Sequence, residues 1–286
     1  MSTNIEWATD TWNPVTGCTP ISPGCANCYA KRMSTRLAGR CGYPAENPFA
    51  VTCHPDRLEQ PQHWKKSRRI FVCSMADIFH QEVPDYYRLQ VFDMIRRCTW
   101  EGGGIDPDHT FLILTKRAEE MWKFMQALRW DGNDLEMGST KYRNYSSQAK
   151  SVWLGVTVED QEHTWRLNYL EETPAAHRFV SVEPMLSPVD LTPWLAKLDW
   201  VICGGETGPG HRPMAGLWAM DLLAQCREYN VPFFFKQMSG KITPIPQSLQ
   251  VREFPAGMLG HTASAAISPI SPIGPIKPAA IQGATP

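Results

Sequence analysis

The sequence predicts an α/β fold, a partial or full β/α (TIM-like) barrel of parallel strands with a cysteine-rich loop near its N-terminus. Three observations predict it. Short β-rich runs alternate with amphipathic helical stretches, which implies parallel strands joined by crossover helices. The runs around Phe71, Leu112 and Phe233 are continuously apolar, as strands buried on both faces read. Six strands end in a polar cluster, at the end where a β/α barrel builds its active site. A doubly wound open sheet is the alternative.

In chain order, a short strand is expected over residues 6–9, then strands over 49–53, 70–73, 111–115, 152–158, 178–182, 200–203 and 232–235. The helix expected over 84–98 opens on Val-Pro-Asp and carries Tyr87, Val91, Met94 and Ile95 on one side. A second, over 118–130, carries Met121, Phe124, Met125 and Leu128 at helical spacing. Residues 160–170 and 217–229 read the same way. Residues 131–149 are polar with weak periodicity, a loop or local insertion. From Gly257 the chain is low-complexity Ala, Ser, Ile, Pro and Gly, so one domain is expected over 1–256 and a disordered tail over 257–286.

Composition narrows the function classes. With 286 residues, 43% hydrophobic and 20% charged, the chain is globular. Its 28 basic and 29 acidic residues rule out a strongly basic nucleic-acid coat, though not a local basic groove. No apolar run approaches the roughly 18 residues that span a bilayer. The start, MSTNIEWATDTWN, lacks a basic residue followed by an apolar run, so no secretory signal is expected and the location expected is cytoplasmic.

Of nine cysteines, three are grouped: Cys18, Cys25 and Cys28, with six residues and then two between them. Gly17, Pro20, Pro23 and Gly24 supply turns that can fold three thiolates toward one point. Two readings follow. A structural zinc needs a fourth ligand, for which Cys41, Cys53 and His54 are candidates, yet no second knuckle follows. An iron–sulfur cluster held by three cysteines leaves one iron open for a ligand. The missing fourth ligand favours the cluster.

The remaining candidates are the strand-end groups: Ser74 and Asp77, Lys116 and Arg117, Glu159, Glu183, Gly204-Gly205-Glu206, and Lys236 with Gln237. Carboxylates there can orient a ribose or an amine, and Lys116, Arg117 and Lys236 can hold a carboxylate or phosphate. Singly, each reads better as a structural ion pair; gathered in one mouth they read as a site. The basic run Lys65-Lys-Ser-Arg-Arg69 is chiefly a solvated face, with phosphate contact the lesser reading.

Three early cysteines, an aromatic after the last and a following β/α pattern resemble the radical SAM superfamily, although the usual spacing there is three and two. The closer resemblance is to an uncharacterised phage and prophage three-Cys-motif family related to radical SAM enzymes. It rests on WNPVTGCTPISPGCANCYA, RRIFVCSMADIFHQEVPD, FLILTKRAEEM, VWLGVTVEDQ, RFVSVEPMLSPVDL, WVICGGETGPGHRPM and VPFFFKQMSG, within a resemblance that covers residues 7 to about 254. The resemblance implies a [4Fe-4S] cluster on Cys18, Cys25 and Cys28 with Tyr29 beside it. It implies S-adenosylmethionine on the open iron, an electron donor, and cleavage to a 5′-deoxyadenosyl radical. It further implies that Gly204-Gly205-Glu206 meets the methionyl amino group, although this segment falls late in the chain where the superfamily has it early. The phage association points to a nucleic acid or nucleotide as substrate. The competing expectation is a zinc-stabilised, non-redox nucleic-acid-binding protein.

Overall fold

The computed structural model describes residues 3, 5–99, 109–130, 135–137, 143–144, 149–240 and 242–258. Seven strands form one sheet: β1 (Asp10–Trp12), β4 (Arg69–Val72), β5 (Thr110–Thr115), β9 (Val152–Thr157), β10 (His177–Val182), β11 (Trp200–Cys203) and β12 (Phe233–Phe235). Every neighbouring pair is parallel, and the spatial order equals the chain order. The order never reverses, which excludes the doubly wound sheet, whose ligand crevice lies at such a reversal. The sheet curls into a half-barrel, and among the described residues β12 does not pair with β1. The partial form of the expected barrel is therefore the one formed.

Alternation along each strand separates two cores. Ile70, Val72, Phe111, Ile113, Leu154, Val156, Val180, Val182, Val201 and Phe233 face the helices. These helices are α2 (Asp85–Arg97), α3 (Ala118–Ala127), α4 (Trp165–Glu172) and α5 (Gly216–Glu228). They contribute Val91, Phe92, Met121, Phe124, Leu167, Leu170 and Leu222. The intervening strand positions, Leu112, Trp153, Phe179, Trp200, Ile202 and Phe234, fill the concave face together with Trp7 and Met258. This aromatic plug occupies the N-terminal end of the half-barrel, so polar groups gather at the other end.

Several boundaries differ from expectation. The first strand is Asp10–Trp12 rather than 6–9, because Trp7 and Ala8 are spent on the plug. The run over 49–53 does not join the seven-stranded sheet. Only β3 (Thr52–Cys53) is extended, and it pairs antiparallel with β2 (Val15–Thr16). The helix expected over 118–130 stops at Ala127, and β6 (Leu128–Trp130) turns away to pair with β7 (Leu135–Met137) and β8 (Arg143–Asn144) in a small antiparallel insertion. A helix not expected at all, α1 (Tyr29–Arg36), follows the cysteine loop.

The expected tail begins at 257, yet Met258 is 1% exposed in the plug; residues 259–286 lie outside the described residues. Met258→Ala should cost about 2–5 kcal/mol, as buried methionine truncations do. Urea unfolding measures it, and an unchanged midpoint would remove Met258 from the core. No helix among the described residues is long and apolar enough to cross a membrane.

Candidate functional site

The three cysteines lie on a loop that reaches across the C-terminal ends of the strands. Cys18 follows the β2 strand, Cys25 closes a short 3-10 turn (Pro23–Cys25), and Cys28 is the N-cap of α1. All three are free thiols, and none is fully buried. Among the described residues no group of three or more His, Cys, Asp or Glu is arranged to hold a metal ion in this conformation.

A strand-end carboxylate stands behind each part of the loop. After β4, Asp77 accepts from Thr115 Oγ1 at 2.7 Å, from the Lys116 and Phe79 amides, and from Arg117 Nη1 at 3.2 Å. The same Arg117 nitrogen donates to Cys18 Sγ at 3.3 Å, and Arg117 Nη2 donates to Thr19 O at 3.0 Å. Burial pushes the Cys18 thiol up and the Arg117 guanidinium opposes it, with Asp77 and Cys25 adding to the rise. Fully buried His80 receives the Glu82 amide on Nδ1, so its Nε2–H points at Thr19 Oγ1, 2.8 Å away.

After β9, Glu159 is completely buried, and Arg166 Nη1 donates to its Oε2 at 2.7 Å. Ser22 Oγ donates to Oε1 at 2.5 Å, and Lys116 Nζ lies 3.4 Å from the same oxygen. Ser22 Oγ is also 3.7 Å from Cys25 Sγ. Burial alone would raise the Glu159 pKa, but Lys116, Arg166 and the Ser22 hydroxyl together hold it below its ordinary value. Gly24 lies flat on this carboxylate: a Cβ there would come within 2.4 Å of Glu159 Cγ, so only glycine lets the loop seat.

After β11, Glu206 accepts from Arg212 Nη2 at 2.5 Å on Oε1, and from Arg212 Nε, the Arg212 amide and Asn27 Nδ2 on Oε2. Asn27 immediately precedes Cys28, and Arg212 also donates to Pro23 O at 3.0 Å. Burial acts upward on this carboxyl, but its bonds from Arg212 and Asn27 bring the pKa down from 4.5 to about 2. Arg32 of α1 completes this side by donating to Thr207 O.

The structure places Gly204-Gly205-Glu206 after β11, beside the cysteine loop. Both Glu206 oxygens already serve the chain's own donors. Gly205 faces its own backbone, since a Cβ would stand 2.4 Å from Ser239 N. A depressed carboxyl contributes stability above its unfolded value, and the contribution fades as pH falls through its folded value. The loop should therefore lose hydrogen-exchange protection over residues 23–32 between pH 4.5 and about 2. Glu206→Gln should lose about 1.5–3 kcal/mol of charge-assisted bonding and show a smaller acid step, the remainder coming from Glu159. Equal protection in the two proteins at pH 6 would contradict this role.

The other expected residues divide. Glu183 accepts from Lys236 Nζ at 2.6 Å and Gln237 Nε2 at 3.0 Å, and Gln237 also donates to Gly205 O. A Cβ on Gly204 would stand 2.9 Å from that same Gln237 nitrogen. None of this second cluster touches the cysteine loop in these hydrogen bonds. Ser74 points elsewhere, donating to Asn13 Oδ1. Tyr29 is 57% exposed on the outside of α1 rather than packed inward. Of the candidate fourth ligands, Cys41 is exposed, Cys53 lies in the β2–β3 ribbon, and His54 Nε2 is taken by Thr16 Oγ1 at 2.7 Å. At the opposite end of the half-barrel, Arg68 is paired with Asp10 and Arg69 lies over Phe254, so half the basic run is used internally.

Sequence reasoning missed Ser22, Asn27, His80, Arg166 and Arg212. Ser22 and Asn27 sit inside the cysteine motif, His80 inside the segment RRIFVCSMADIFHQEVPD and Arg212 six residues past Glu206, the signals that could have found them. No curated protein and no solved structure matches the chain. A family model described as Protein of unknown function (DUF5131) matches residues 2–257, nearly all of what the structure describes, and the chain belongs to that family.

Proposed function

We propose that the protein is a radical SAM-like enzyme whose [4Fe-4S] cluster is held by Cys18, Cys25 and Cys28. One observation carries the reading: three strand-end carboxylates, Asp77, Glu159 and Glu206, each brace one part of the three-cysteine loop over the mouth of a parallel half-barrel. The donor set suits the group. Three free, part-buried thiols on one loop are soft ligands for iron, and a cubane held by these three alone leaves one iron open.

When bound, the cluster supplies the single electron that breaks the sulfonium carbon–sulfur bond of S-adenosylmethionine, with an electron donor renewing it. The chain's own residues do the rest. Arg117 orients Cys18 from the β5 end, Ser22 ties Cys25 to the buried Glu159, and Asn27 ties the start of α1 to Glu206. Glu183, Lys236 and Gln237, which take no part in holding the loop, are left to meet the polar groups of the cofactor or substrate. The aromatic plug beneath keeps water from entering through the N-terminal end.

The test is anaerobic incubation of the reconstituted protein with dithionite and S-adenosylmethionine. Release of 5′-deoxyadenosine is expected. A protein that carries the cluster yet releases none would contradict the assignment.

A further inference from the structure

The chain has net charge -1, but its charge is unevenly placed. Between Asp10 and Glu46 there is no acidic residue, while Lys31, Arg32, Arg36 and Arg40 all fall there. They lie on or just after α1, the helix that leaves Cys28. Arg32 is turned inward to Thr207 O. Lys31, Arg36 and Arg40 are exposed, and among the described residues none of them forms a salt bridge. Unpaired cations concentrated on one face of an otherwise acidic protein favour a polyanion.

An aromatic ring accompanies them. Tyr29 stands at the start of the same helical stripe as Arg36, seven residues on, and is 57% exposed. An exposed ring on the same helix as backbone-neutralising cations is the arrangement that stacks unpaired bases. A duplex would offer its phosphates to the cations but no base face to the ring. The surface adjoins the cysteine loop, so a strand lying along α1 is delivered to the mouth.

We infer that α1, carrying Tyr29, Lys31, Arg36 and Arg40 beside the three-cysteine loop, binds single-stranded nucleic acid and leads it to the half-barrel's mouth. The strand's role as substrate rests on the enzymatic reading above; its binding does not. The experiment uses the full chain after anaerobic reconstitution, with fluorescein-labelled 20-nucleotide single-stranded DNA and RNA, read by anisotropy across a potassium chloride series. Lys31→Gln/Arg36→Gln/Arg40→Gln should lower the slope of log K against log salt by about 2, at roughly 0.7 per lost phosphate contact on single strands. Tyr29→Ala should weaken binding about 5- to 150-fold. Lys65→Gln/Lys66→Gln, at the far end, should change nothing.

Four results would overturn the inference: no binding by the wild type, the same affinity and slope in the triple variant, loss of binding in the Lys65/Lys66 variant instead, or equal competition by poly-glutamate with no effect of Tyr29→Ala, which would make this an acidic-polypeptide surface. Iron and sulfide are assayed in the same samples. Oligonucleotide binding with the expected slope but no bound cluster would defeat the enzymatic reading and leave this inference standing; a bound cluster without oligonucleotide binding would do the reverse.

Discussion

Glu159→Ala should destabilise the protein by about 3–5 kcal/mol, the cost of breaking a buried ion pair from one side. Glu159 is wholly buried and Arg166 is 1% exposed, so deletion leaves a guanidinium without its counter-charge in the core between β9 and α4. Arg166 Nη1 keeps only the Thr157 carbonyl, and its Nε has no partner even in the intact protein. The same deletion frees Lys116 and the Ser22 hydroxyl, and with them the middle of the cysteine loop. Two readouts should move together: the denaturation midpoint and the rate of proteolytic cutting near Ser22. Because the carboxyl is held below its ordinary value, its contribution is present above that value and is lost as the pH falls below it. A loss under about 1 kcal/mol would mean that Arg166 finds another partner and that Glu159 does not brace the loop.

Cys25→Ser should remove bound iron almost entirely, from about four per chain to near zero, with the fold intact. Cys25 is part-exposed at the end of a one-turn helix, so replacing its sulfur with oxygen leaves no cavity. A two-thiol set cannot hold three irons of a cubane. Cys18→Ser and Cys28→Ser should behave alike. Cys41→Ser and Cys53→Ser should retain full iron, and they separate the two metal readings, because a zinc site completed by either residue would lose its metal in that variant. Retention of normal iron and sulfide by Cys25→Ser would refute the ligand assignment. Circular dichroism and the denaturation midpoint exclude unfolding as the cause.

Much of the sheet was legible because burial on both faces writes a simple pattern. The runs Phe111–Leu114 and Phe233–Phe235 contain no polar break, and both strands are covered on both faces although β12 is the sheet's edge. The first strand was misplaced because Trp7 and Ala8 look strand-like as an apolar pair, whereas they plug the concave face, a role that no local periodicity encodes. Leu128 continues the helical spacing of Phe124, yet the chain turns there to pair with residues beyond it, and pairing partners are not visible in one strand's letters. Helix α1 went unseen because its apolar side is short: Ala30 and Met33 stand at helical spacing, but the one fully buried residue between them and the helix end is Ser34.

At the site, the residue types were legible and their partners were not. Asp77, Glu159 and Glu206 were marked by position alone, since each follows a strand. That the three turn toward the cysteine loop follows from Arg117, Ser22, Asn27 and Arg212, whose reach across 137 to 189 residues of sequence in the case of Ser22, Asn27 and Arg212 leaves no local trace. Glu206 shows the limit most clearly. Its Gly-Gly-Glu letters pointed to a cofactor contact, while its partner Arg212, only six residues away, carried no mark in the sequence.

The most direct measurement is the metal content of the wild-type protein purified and reconstituted without oxygen. Iron, acid-labile sulfide and zinc are counted on the same sample, and the spectrum is recorded. About four irons and four sulfides per chain with a broad band at about 400 nm, bleached by dithionite, is the predicted result. A colourless protein holding one zinc and no sulfide would contradict it.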